Sequence, residues 1–137
     1  MSEESRIAIE IQKLRQKHFE RQEGKKTLIA TWREETPYIS KDKKSGLAHV
    51  MILATRGCSW ALSNTGGCSM CGYINDSART DIEQSSIIEQ FTKSLDSQSK
   101  DERIVQIIKI FNSGSFFDDE EIHPRTRNKI LQTIAQM

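Results

Sequence analysis

The chain has 137 residues, 36% of them hydrophobic and 28% charged, with 20 basic residues set against 19 acidic ones for a formal net charge of +1. This composition fits one soluble globular domain and excludes a wholly disordered chain; the near-balance of charge removes any global electrostatic case for nucleic acid, leaving that case to local patches. The longest apolar run, Ala48 to Ala54, is far shorter than the roughly 18 residues a membrane span needs, and the start MSEESR lacks a signal-peptide core, so no membrane association and a cytoplasmic location are expected.

From Glu3 to about Gln22, Ile7, Ile11, Leu14 and His18 recur at helical spacing beside Arg6, Lys13, Lys17 and Arg21, which predicts an amphipathic helix. Gly24 reads as the stop, and Thr27 to Trp32 reads as a short strand before Pro37 and the polar KDKKSG linker. Leu47 to Thr55 (LAHVMILAT) is nearly unbroken apolar sequence, which suits a strand buried on both faces of a parallel sheet. Thr80 and Glu83 read as a capping box ahead of a helix with Ile87, Ile88, Phe91 and Leu95 on one face, ending near DSQSKDE.

A second strand, Ile104 to Phe111, leads into the turn-like NSGS, the acidic DDEE and a helix from about Pro124. The alternation of strand, loop and helix implies a parallel βαβ unit, with functional residues at the carboxyl ends of the strands. Residues 1–46 are expected to be a helical extension and linker, and 47–137 an incomplete core. Two βα units are too few for a closed (β/α)8 barrel of about 250 residues, so the pattern reads as the first part of a larger sheet or one completed by another chain.

Three cysteines are an odd number, and Cys68 and Cys71 lie close together in a chain without secretory features, which argues for metal ligation over disulfides. The segment RGCSWALSNTGGCSMCGY spaces Cys58, Cys68 and Cys71 as C-x9-C-x2-C directly after the buried strand. Three thiolates can bind three irons of a 4Fe–4S cubane and leave the fourth open to the amino and carboxylate groups of S-adenosylmethionine (SAM), unlike the closed four-cysteine carriers. Gly66, Gly67 and Gly72 suit a loop that wraps closely about a cluster.

Met70 and Tyr73 either line an adenine pocket or pack beneath the loop. Asn112, Ser113, Gly114 and Ser115 stand where a βα loop faces a cofactor and can hydrogen-bond the methionyl amine of SAM, or form an ordinary turn. Two other readings of the cysteines remain. Structural zinc needs a fourth ligand from His49 or His123, and a thioredoxin-like CxxC leaves Cys58 and the glycine pair unexplained.

Together TRGC, GGCSMCGY and KIFNSGSFFDDEEI resemble a known family, the radical-SAM (beta) subunit of archaeosine synthase, an archaeal tRNA-modifying enzyme; the likeness runs from the first apolar strand to the end of the chain. The ten-residue offset between the first two cysteines departs from the commonest radical-SAM spacing, and wide spacing also occurs in the Elongator catalytic subunit. The resemblance implies an α/β fold, the N-terminal part of a partial parallel (β/α) barrel of radical-SAM type, preceded by a helix. It implies that Cys58, Cys68 and Cys71 bind a 4Fe–4S cluster and that NSGS is the SAM-amine motif.

It further implies a tRNA substrate, a low-potential electron donor and a lysine transferase (alpha) subunit as partner. That partner attaches lysine to a deazaguanine base, and the radical enzyme cleaves a carbon–nitrogen bond of the adduct to leave archaeosine. The alternatives are another radical-SAM activity, such as an Elongator-like tRNA modifier, and a non-catalytic iron–sulfur or zinc module. The basic residues of the first helix, with Lys41, Lys43 and Lys44, either touch tRNA phosphates or form a solvated face.

Overall fold

Glu3 and Glu4 in the first turn and Arg21 in the last place charge as the helix dipole prefers, and α1 spans Glu3–Gln22 as its periodicity predicts. The computed structural model describes residues 2–22, 31–39, 41, 45–97 and 105–137. The expected stop at Gly24, residues 27–30 of the first strand, Lys43, Lys44 and Ile104 lie outside the described residues.

Among the described residues three strands form one sheet in the order β1 (Thr31–Ile39), β2 (Ser45–Ile52), β3 (Val105–Phe111). β1 runs antiparallel to β2, whereas β2 and β3 are parallel. The first strand therefore continues past Pro37, whereas the sequence pattern predicts its end before that residue. Proline gives no N–H to a ladder, and the chain accommodates it where the register shifts between Glu34 and Tyr38, on a strand that among the described residues pairs on one side only.

Leu47, Ala48, His49, Val50 and Met51 are all buried, so β2 is covered on both faces as its unbroken apolar run predicts. α3 (Gln84–Asp96) connects β2 to β3 and α4 (Pro124–Ala135) follows, with Pro124 at its first position. Met51 and Leu53 from β2 and its extension meet Ile87 and Phe91 of α3, Ile122, and Ile130 of α4 in one buried cluster. Ile108 and Ile110 of β3 pack against it. Alternate residues of both strands thus face the two helices, and burying Phe91 alone contributes about 2–3 kcal/mol.

Two details of the helices depart from the sequence reading. The Thr80–Glu83 capping box does not form: Glu83 is itself the N-cap of α3 without a side-chain cap bond, and the Thr80 hydroxyl donates to the Ala78 carbonyl at 3.5 Å. Gln84 anchors that end instead, its Nε2 donating to the Glu121 carbonyl at 3.3 Å and its Oε1 accepting from the His123 nitrogen at 3.0 Å.

On α1, Ile7 and Leu14 are 53% and 66% exposed, while the inward stripe is Ala8, Ile11, Gln12, Arg15, His18 and Phe19. The helix lies against a loop that offers backbone carbonyls, which favour donors over methyl groups. Gln12 donates to the Asn64 carbonyl and Arg15 to that of Cys68.

Candidate functional site

β2 and β3, being parallel, deliver their carboxyl ends to the same side of the sheet, the place where open α/β sheets bind ligands. Beyond Ile52 the chain stays extended, the Leu53 nitrogen still donating to the Phe111 carbonyl at 2.8 Å. Gln90 satisfies both backbone groups of Ala54, at 2.9 and 3.3 Å. The Thr55 and Arg56 carbonyls accept from the nitrogens of Ala78 and Arg79 at 3.0 and 2.9 Å, which closes the cysteine loop at its base.

Gly57 opens that loop at φ +102, and a side chain there would come within 2.7 Å of both Ile74 Cδ1 and Ser77 Oγ, so only glycine fits. Cys58 is the N-cap of the single helical turn α2 (Ser59–Leu62). A turn at Ser63–Thr65 leads into Gly66 and Gly67, both at positive φ, and a Cβ on Gly67 would stand 2.7 Å from Ala61 Cα. Gly72 differs from the other two expected loop glycines: its φ is −90 and nothing lies within 4 Å of a Cβ placed on it.

The Cys68 carbonyl accepts from the Cys71 nitrogen at 3.1 Å and from Arg15 Nη2 at 2.7 Å. All three cysteines are free thiols, Cys58 and Cys71 half-buried and Cys68 exposed. Met70 and Tyr73 project from the loop, 92% and 72% exposed, so neither packs beneath it.

The second loop meets the first directly. A Cβ on Gly114 would stand 2.7 Å from the Cys58 nitrogen and Cα and would collide with Glu121 Oε2, so the NSGS backbone lies against the first cysteine. Ser113 is half-buried and Ser115 exposed, and Asn112 keeps a buried Nδ2 with no hydrogen-bond partner among the described residues.

The acidic run after NSGS holds the two loops together, a role the sequence reading missed. Glu121, 1% exposed, accepts from the Thr55 hydroxyl at the end of β2 and from the Ser115 nitrogen at 2.8 Å. Asp118 accepts from the Ser59 nitrogen at 3.1 Å and hydroxyl at 2.6 Å. Burial pushes the Asp118 carboxyl up, but the hydrogen bonds from Ser59, Glu120 and Glu121 outweigh it and hold the group below its ordinary value. Asp119 pairs with Arg127 of α4 at 2.7 Å, and Glu120 with Arg56 at 3.5 Å. Nothing in four consecutive acids marks which one turns inward.

Among the described residues no three His, Cys, Asp or Glu side chains converge to hold a metal ion, so the structure presents the three thiols on one loop without gathering them. The donor chemistry nonetheless fits an iron–sulfur cluster: free thiols, glycine backbone at positive φ beside Cys68, and two buried nitrogens without hydrogen-bond partners among the described residues, Asn112 Nδ2 and Arg15 Nη1. Binding requires the loop to draw the thiols together. His49, the zinc alternative, is buried with its Nε2 2.8 Å from Ser94 Oγ, and His123 is the N-cap of α4. No described helix is long and apolar enough to cross a membrane.

No protein-family model matches the chain, and no solved structure does. It is 34% identical over 132 residues to an uncharacterized protein of Methanocaldococcus jannaschii, a match covering 92% of this chain and 34% of that protein. It is 34% identical over 86 residues to the archaeosine synthase subunit beta of Methanosarcina acetivorans, covering 63% of this chain and 24% of that one. With the subunit beta of Thermococcus kodakarensis the identity is 32% over 94 residues, 69% of this chain and 28% of the other. The chain is thus similar to archaeosine synthase beta subunits and spans about a third or less of the length of these curated relatives.

Proposed function

We propose that the chain is part of a radical-SAM enzyme of tRNA modification, with Cys58, Cys68 and Cys71 as ligands of a 4Fe–4S cluster and a lysine–deazaguanine adduct in tRNA as substrate. The observation that carries this reading is the contact of two loops at the carboxyl ends of parallel strands: the NSGS backbone at Gly114 against Cys58. Similarity to two archaeosine synthase beta subunits supports the choice of substrate. The partial (β/α) barrel belongs to the same proposal, with β2, α3, β3 and α4 as its first two units.

When bound, the cluster and SAM supply one-electron cleavage of the SAM carbon–sulfur bond and so a carbon radical able to take hydrogen from the lysyl side chain. This chain's residues do the holding. The three thiolates would hold three irons of the cluster and leave the fourth for SAM. With SAM bound, Asn112 Nδ2 would donate to the methionyl carboxylate, the Ser113 and Ser115 hydroxyls would accept from its amine, and Gly114 would let the backbone approach. Met70 and Tyr73, already exposed beside Cys71, offer soft and aromatic surface to the adenine.

The test is anaerobic reconstitution with iron and sulfide, then electron paramagnetic resonance of the reduced protein before and after SAM. A cluster signal that changes with SAM is expected, and so is its loss when any one of the three cysteines is replaced by alanine. Zinc binding in place of a cluster would reject the reading. Analysis of lysine-modified tRNA after turnover, with the transferase partner and an electron donor present, separates archaeosine formation from another radical-SAM activity.

A further inference from the structure

Arg15 sits in the middle of α1, 9% exposed, with its guanidinium beneath the Gly67–Cys68 segment. Nη2 donates to the Cys68 carbonyl at 2.7 Å. Nη1 is buried without a hydrogen-bond partner among the described residues, and a Cβ added to Gly67 would come within 3.0 Å of it. No carboxylate among the described residues pairs with this cation. A buried charge left without a counter-charge or a full set of acceptors is unfavourable, so the arrangement calls for an anion.

Clamping a carbonyl does not require a cation. Gln12, one turn earlier on the same face, holds the Asn64 carbonyl with a neutral amide. What the guanidinium adds is positive charge and, among the described residues, an unpartnered N–H next to the Cys68 carbonyl. A cubane held by three thiolates is anionic and becomes more so when it takes an electron.

We propose that Arg15 is a positioning residue of the cysteine loop: it fixes the Cys68 end through the carbonyl and offers Nη1–H to the thiolate and sulfide charge gathered when the loop closes. The proposal rests on the reading of this loop as a cluster site and goes beyond it by drawing the N-terminal helix into that site. A cationic donor to the sulfurs favours the reduced state, so its loss makes reduction harder.

The experiment uses the full chain as wild type, Arg15→Lys and Arg15→Gln, each reconstituted anaerobically with iron and sulfide. Cluster content is measured chemically, and the midpoint of the one-electron reduction is read by paramagnetic resonance during titration with dithionite. Arg15→Gln is expected to weaken reduction about tenfold, about 59 mV for a one-electron couple, with Arg15→Lys closer to wild type. A cluster retained by the Lys variant and lost from the Gln variant supports the same assignment.

Equal midpoints in all three proteins overturn the role of Arg15 and leave the cluster reading standing. Loss of cluster in both variants, together with loss of amide protection along α1, makes the residue a structural clamp and also overturns it. A wild-type protein that assembles no cluster removes the cluster reading itself, and the assignment of Arg15 with it.

Discussion

Ser59 donates twice to the same oxygen of Asp118, from its backbone nitrogen at 3.1 Å and from its hydroxyl at 2.6 Å. One carboxylate thereby joins the residue after Cys58 to the acidic turn after β3, across 59 positions of sequence. With Glu121, which receives Thr55 and Ser115, it makes the two loops at the strand ends one body. The acidic run is internal bracing for the candidate site.

That bracing has a pH dependence. Asp118 is held below its ordinary value of 3.8 in the folded chain, so the stability it contributes is complete above the unfolded value and is lost as pH falls through the lower native one. Asp118→Ala should cost about 1–3 kcal/mol near neutral pH, since it leaves Ser59 without its acceptor. Urea denaturation of wild type and variant is expected to show that gap at about pH 7 and to show it shrinking toward about pH 2. A gap independent of pH would mean the carboxylate charge contributes nothing.

Gly114 and Gly72 make a matched pair for the close approach of the loops. An alanine at 114 would press its Cβ on the Cys58 backbone and on Glu121, two groups that packing and hydrogen bonds hold in place. Gly114→Ala should therefore destabilise the fold by about 1–3 kcal/mol, an overpacking cost. Gly72→Ala, with open space around its Cβ, should stay within about 0.5 kcal/mol of wild type. Thermal unfolding of the two variants decides the matter, and equal melting points would show that the NSGS backbone does not lie against Cys58.

The rotation of α1 is tested by its exposed leucine. Leu14→Ala removes a side chain that is 66% exposed and should change stability by no more than about 0.5 kcal/mol. Phe91→Ala, from the cluster between the sheet and α4, should cost about 3–5 kcal/mol. A Leu14→Ala loss as large as that of a core residue, measured by chemical denaturation, would place the apolar stripe of α1 inward after all.

Among the described residues β3 pairs with β2 alone, and Phe111 at its end and Phe117 beyond it are 52% and 74% exposed. A free strand edge beside exposed aromatic surface favours association. The isolated chain is expected to self-associate in sedimentation velocity, and Phe111→Lys to reduce the associated fraction severalfold. A monodisperse wild-type monomer would contradict this.

Local periodicity alone determined the bounds of α1, the both-faces burial of the strand before the cysteines, the start of α4 at Pro124 and the placing of both candidate loops after strands. These features follow from side-chain spacing along one segment, so neighbours in sequence carry the information. The tertiary structure decided the rest. It carried β1 through Pro37, replaced the Thr80–Glu83 cap by Gln84, turned Arg15 inward in place of Leu14, and chose Glu121 from four adjacent acids. The last three of those choices satisfy a backbone carbonyl, amide or hydroxyl contributed by a distant segment, and such a partner leaves no trace in the local pattern until the fold brings it within hydrogen-bond reach.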